Sequence, residues 1–167
     1  MTITSNARVA GVTYLLYIVA GISSMALSGR PHVTEVLTLV TSLCALTLGV
    51  TLYSITRTVD PDIALLAMAC RFVEAIPGPG DRGAIFFAVG STLFCWLLLR
   101  GRMIPAALAW LGVISSALLV IILPLQRAGL FAGAVSWSSS LTWLVWLPCL
   151  VFEIAFALWL LTKGVSS

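Results

Sequence analysis

The sequence predicts an all-α membrane protein, a polytopic bundle of about six transmembrane helices. Three observations predict it. Only 9% of the residues are charged, where a soluble domain carries about a quarter. Hydrophobic residues make up 60% of the chain, more than a water-facing fold could cover. They are also gathered into long runs, and a bilayer-crossing helix needs roughly 20 mostly apolar residues.

Five runs meet that length or come close to it: residues 9–27, 36–55, 84–99, 105–123 and 141–161. The first is longer than the apolar core of a signal peptide and has a single upstream charge, Arg8, so it is read as a span rather than a cleaved leader. The run 84–99 is the shortest and is expected to borrow residues from its flanks. A sixth segment, 62–76, is apolar except for Arg71 and Glu74. It opens on Asp60-Pro61-Asp62, which places acidic groups and a proline where a helix begins. It stops at Pro77-Gly78-Pro79-Gly80, which cannot continue a helix. Its length suits a short tilted span or a re-entrant helix, and charge chooses between them. With six spans, Arg8, Arg57, Arg100, Arg102 and Lys163 share one side, and Arg30, Arg82 and Arg127 the other. A re-entrant segment would divide the positive charges evenly. The positive-inside rule then favours six spans, with both termini in the cytoplasm and the chain in the cell's inner membrane. No change of composition marks a second domain, and residues 1–167 are read as one.

Several function classes are set aside by composition. The net charge is +3 and no basic run is present, so nucleic acid is not an expected partner. Cys44, Cys70, Cys95 and Cys149 stand singly in apolar stretches without a C-x-x-C, as small buried hydrophobes do. His32 follows Pro31 in a polar connection and is expected in a loop. No Ser-His-Asp set, H-E-x-x-H or Gly-rich phosphate loop occurs, so no metal or cofactor is expected. Arg100 and Arg102 read as snorkelling residues at the lipid headgroups. The Gly- and Ser-rich connection 125–140, with Leu130, Phe131 and Trp137, reads as an ordinary loop, as a segment lying in the membrane interface or as a cover over a pocket mouth.

Arg71, Glu74 and Glu153 lie inside apolar runs. A charge at the centre of a span costs about 2.5–3.5 kcal/mol even on insertion scales, so these three are expected to turn inward. Arg71 and Glu74 are neighbours on one helix surface, which also carries Ala64 and Ala67, with Asp60 near its start. Glu153 follows Pro148 and has Trp146, Cys149 and Ala157 as helical neighbours. It is expected to meet Arg71 in the bundle interior, and Pro148 to bend the helix beside it. Two carboxyls then share one arginine, which leaves one of them unpaired and able to act as a general acid or base. Small and weakly polar stripes mark the other inward faces: Ala10, Tyr14, Tyr17, Gly21 and Ser24; Thr38, Ser42, Ala45 and Gly49; Ala109, Gly112 and Ser116.

Three stretches resemble a widespread prokaryotic family of small multi-span membrane proteins known as a domain of unknown function. The first is Val59-Asp60-Pro61-Asp62-Ile63-Ala64-Leu65-Leu66 leading into Arg71-Phe72-Val73-Glu74-Ala75. The second runs from Leu97-Leu98-Leu99-Arg100 through Ile104-Pro105 to Leu111-Gly112. The third is Glu153-Ile154-Ala155-Phe156-Ala157-Leu158-Trp159-Leu160-Leu161-Thr162-Lys163-Gly164-Val165. The connection 77–82 is shorter than is usual in that family. The resemblance implies a six-helix membrane fold and no particular chemistry.

Two functional readings follow. In the first, the chain is a membrane enzyme of the cyclase or isomerase type, acting without cofactor on an apolar or lipid-like small molecule. Glu153 or Glu74 would be its acid or base, Arg71 would tune the acid or hold an anionic group, and Tyr14, Tyr17, Trp146 and Asp60 would line the substrate cavity. In the second, it is a non-catalytic module, a ligand sensor, a small transport subunit or a partner of other membrane proteins, and its buried charges are structural.

Overall fold

A computed structural model describes residues 3–76, 82–130 and 140–165. Among these residues six helices follow one another: α1 (Ile3–Ala26), α2 (Pro31–Thr56), α3 (Pro61–Glu74), α4 (Arg82–Arg100), α5 (Ala106–Arg127) and α6 (Ser140–Thr162). Five of them, all but α3, are long and apolar enough to cross a membrane. Large apolar side chains such as Val19, Leu43, Ile76, Ile121 and Leu144 lie exposed around the outside, the surface that a lipid-solvated bundle presents. The chain is a polytopic helical membrane protein.

The sequence runs come out as helices, most ends lying further out than the run and those at Ala26, Glu74 and Ala106 lying further in. The fourth helix does borrow from its flanks, running from Arg82 to Arg100. His32 is not in a loop: it stands exposed in the first turn of α2, because Pro31 starts that helix instead of ending the connection before it. Asp60 caps α3 by accepting a hydrogen bond from the backbone N–H of Ile63 at 3.2 Å, and Pro61 takes the first helical position. Pro148 lies within α6, and Pro124 within α5. Most of the Gly- and Ser-rich connection, residues 131–139, falls outside the described residues, as does 77–81.

Each helix packs against its sequence neighbours, and α6 closes back onto α1, so the six form a ring. Close approaches occur where glycine replaces a side chain. A Cβ on Gly112 of α5 would stand 2.6 Å from Phe152 of α6, and one on Gly11 of α1 would stand 2.9 Å from the carbonyl of Ala157. The larger core cluster gathers Ala7, Leu52, Ile55, Phe94, Met103, Ile104, Phe152 and Leu160 towards the end of the bundle that holds the chain termini. A smaller one, Phe87, Ala88, Leu119, Leu123 and Cys149, lies towards the other end.

Helix α3 is the odd member. Its 14 residues rise about 21 Å at 1.5 Å per residue, against roughly 30 Å of hydrocarbon. Gly49 of α2 is level with Arg71 and Phe72. From there α2 continues back to Pro31, whereas α3 goes on only to Glu74. Away from the termini, therefore, the wall of the ring is lower at α3, and the interior beside it is not filled.

Candidate functional site: the charged interior and its two cavities

Arg71 is fully buried, with 0% of its surface exposed. Glycines on both neighbouring helices make room for its stem: added Cβ atoms would lie 3.2 Å from Arg71 Cβ at Gly49 and 3.4 Å from Arg71 Cδ at Gly90. Its guanidinium carbon lies 5.4 Å from the ring centroid of Tyr17 and 5.1 Å from that of Phe87, within the range where an aromatic ring attracts a cation. Nη1 stands 2.9 Å from Glu74 Oε2. That contact brings opposite charges together but lacks the angle of a hydrogen bond, so no guanidinium nitrogen has an acceptor among the described residues. Glu74 is held from the other side by Tyr17, whose hydroxyl donates to Oε1 at 2.7 Å. A side chain from α1 thus crosses the ring to tie down the end of α3.

Glu153 is buried on α6, but its position departs from the expected pairing with Arg71. The ion pairs among the described residues are Arg71–Glu74 and Arg100–Asp60, and Glu153 belongs to neither. Arg71 takes the carboxyl on its own helix because the i, i+3 spacing delivers it without any demand on helix packing. Glu153 remains within electrostatic reach of Arg71, Glu74 and Tyr14. Nothing among the described residues donates a hydrogen bond to it, and its Oε1 is fully enclosed.

Two cavities border this network. One, of about 250 Å³, occupies the space above the short helix and is lined by Thr38, Thr41, Ser42, Glu74, Phe87 and Trp146 among others. The second, of about 130 Å³, is a groove between α1 and α6. Its walls are Tyr17, Ile18, Gly21, Ile22, Met25, Trp143, Trp146, Leu147, Leu150 and Glu153. Ile22, Trp143 and Leu147 are exposed, so the groove opens sideways on the apolar outer surface. Tyr17 and Trp146 line both spaces and form the partition between them, with Phe87 stacked on each at centroid distances of 6.4 and 5.7 Å.

Comparison with known families adds one finding. The sequence model of a family described as a domain of unknown function, DUF4386, matches residues 81–164, half of the chain. The chain belongs to this family. No curated protein and no solved structure matches it. The DUF4386 region covers α4 to α6 and so contains Phe87, Trp146 and Glu153. Tyr17, Arg71 and Glu74 lie in the half before it. Two of the three stretches that carry the sequence resemblance fall in the matched region, the last but for Val165, and the stretch around Arg71 and Glu74 does not.

The sequence-derived candidates therefore divide within this DUF4386 protein. Arg71, Glu74, Tyr17, Trp146 and Glu153 come together around the two cavities. Asp60 does not: it sits at the end of the bundle with the termini, paired with the exposed Arg100 at 3.4 Å, because its work is to cap α3. Tyr14 is buried edge-on against Phe156 at 5.6 Å and lines neither cavity. Phe87 was missed, although Phe87, Ser91 and Phe94 recur at helical spacing and mark one buried face of α4. Thr41 was missed as well, while Thr38 and Ser42, read as packing residues, turn out to line the larger cavity.

Proposed function

We propose that this membrane protein binds a lipid-soluble small molecule at the hollow end of its bundle and acts on it by carboxyl acid–base chemistry, as a cyclase or isomerase does. The observation that carries the reading is Glu153: a buried carboxyl with no hydrogen-bond or ion partner among the described residues, on the wall of an apolar groove that opens on the outer surface. Buried polar groups in a folded protein are almost always paired, and an ionisable side chain inside a membrane bundle marks a functional position by default. In an isomerisation, Glu153 gives its proton to one carbon of an alkene and its carboxylate takes another from a neighbouring carbon, so atoms balance without a cofactor. Arg71, within electrostatic reach, steadies the charge that the departing proton leaves. Glu74 is already engaged by Arg71 and Tyr17 and serves to position them. The groove is smaller than a typical ligand pocket of about 300–1,000 Å³, so part of the molecule would remain among the acyl chains. The distribution of Arg8, Arg57, Arg100, Arg102 and Lys163 supports an inner-membrane setting with cytoplasmic termini.

The test is a chromosomal Glu153→Gln substitution in the source organism, followed by untargeted profiling of its lipid-soluble metabolites. The expected result is one compound accumulating and one disappearing while the level of the protein is unchanged; an unaltered profile would overturn the catalytic reading. A second reading, a non-catalytic sensor, transport subunit or membrane-protein partner, draws its support from the Arg71–Glu74–Tyr17 contacts, which tie two helices together without engaging a ligand.

A further inference from the structure

The groove between α1 and α6 presents a particular combination: apolar walls, aromatic side chains and a single acidic group. We infer that its ligand is a lipid-soluble amine, with the nitrogen paired to the Glu153 carboxyl and the hydrocarbon chain lying against Ile18, Ile22, Leu147 and Leu150. This rests on the reading that the hollow end binds a lipid-soluble molecule and not on the alkene isomerisation, since a carboxylate paired to an ammonium group has no proton to give to carbon.

Charge complementarity selects the amine. Among the described residues the interior holds one cation, Arg71, already in contact with one carboxyl, Glu74. Glu153 is a second carboxyl within reach of both, so once it ionises one further positive charge brings the cluster to neutrality. A ligand carboxylate would instead bring a third acidic group beside two. Nor does Arg71 invite an anion from the groove, since it lines neither cavity. A neutral alcohol would gain a hydrogen bond to Glu153 but no charge, and charge-assisted bonds are roughly twice as strong. The aromatic walls, Tyr17, Trp143 and Trp146, add the attraction of ring systems for an ammonium group.

Proton accounting holds for either starting form. A neutral amine entering from the bilayer takes the proton of a neutral carboxyl, the N–H bond forming as the O–H bond breaks. An ammonium ion meeting a carboxylate reaches the same pair without proton transfer. The lateral opening at Ile22, Trp143 and Leu147 lets the head group travel inward while the chain stays in an apolar medium throughout.

Gly21 gives an independent handle. It lines the groove, and a Cβ built on it meets nothing within 4 Å. A larger side chain there starts from open space and extends into the groove.

The experiment uses the full chain in phosphatidylcholine nanodiscs, with n-octylamine, n-octanol and octanoate as probes. Tryptophan fluorescence and thermal unfolding are read against probe concentration. Octylamine should half-saturate the wild type at a concentration lower than octanol by about tenfold or more, and octanoate should give only the response of the bilayer itself. In Glu153→Gln the preference for amine over alcohol should fall to about one. In Gly21→Leu, which leaves the carboxyl in place, both amine and alcohol should lose their saturable response. Equal responses to amine and alcohol in the wild type would overturn the amine while sparing the lipid-soluble ligand. A wild type that behaves like Gly21→Leu towards every probe would overturn both, and a preference for octanoate would overturn the charge assignment.

Discussion

Towards the chain termini, Ala7, Ile55, Leu97 and Leu160 have no exposed surface, and glycines such as Gly101 sit where a Cβ would collide with its neighbours. Towards the opposite end, Thr38, Thr41, Ser42, Tyr17 and Trp146 border open volume, and a Cβ on Gly21 would meet nothing within 4 Å. One chain packs the half of its bundle near the termini tightly and, in the other half, keeps a smaller core around Phe87, Leu119 and Leu123 beside two cavities, with the interior charges at the boundary. In a membrane, where helix association gains little from the hydrophobic effect and depends on close packing, stability must come chiefly from the packed half. The hollow half is then free to carry polar groups and space.

Substitutions in the two halves should separate these roles. The largest effect is expected from Glu74→Gln, which leaves Arg71 buried without its contact partner. Breaking such a pair costs about 3–5 kcal/mol. Glu153, within reach, should hold the loss near the lower end, measured by unfolding in mixed micelles. Next come paired glycine substitutions. Gly112→Ala forces a methyl group to within 2.7 Å of Cys95 Sγ as well as onto Phe152, and overpacking of this kind costs about 1–3 kcal/mol. Gly21→Ala should go the other way, stabilising by up to about 1 kcal/mol through helix propensity alone. The same chemical change with opposite sign in the two halves, read from melting temperatures, would sharpen the comparison; two losses of equal size would break it. The smallest effect is expected from Tyr17→Phe, about 1 kcal/mol for one bond between helices in a membrane.

Much of the fold was legible in the sequence, because lipid solvation imposes one simple rule on composition. The run lengths and the inward stripes follow from it, and the helix start at Asp60-Pro61 from local capping chemistry. The Arg71–Glu74 contact was legible too, since it lies within one helix and needs only local geometry. What could not be read is whatever depends on register between helices. Tyr17 reaching Glu74, Phe87 stacking on Trp146 and Gly49 and Gly90 flanking Arg71 each need two helices set at a particular height. The misplaced meeting of Glu153 with Arg71 has the same origin. Length in sequence also hid the consequence of a short α3: a low wall, and beside it a cavity.

The central claim is that the two interior carboxyls, each bordering a cavity, differ in engagement: Glu74 is held on both oxygens, and Glu153 is free to meet what enters a groove reached from the bilayer. A lipid-soluble carbodiimide tests this directly, because it adds to an accessible carboxyl and leaves a stable N-acylurea that peptide mass spectrometry can locate. Treatment of the protein in membranes should mark Glu153, spare Glu74, and leave Glu153 unmarked in Gly21→Leu. Modification of Glu74 to the same extent, or of Glu153 with the groove filled, would contradict it.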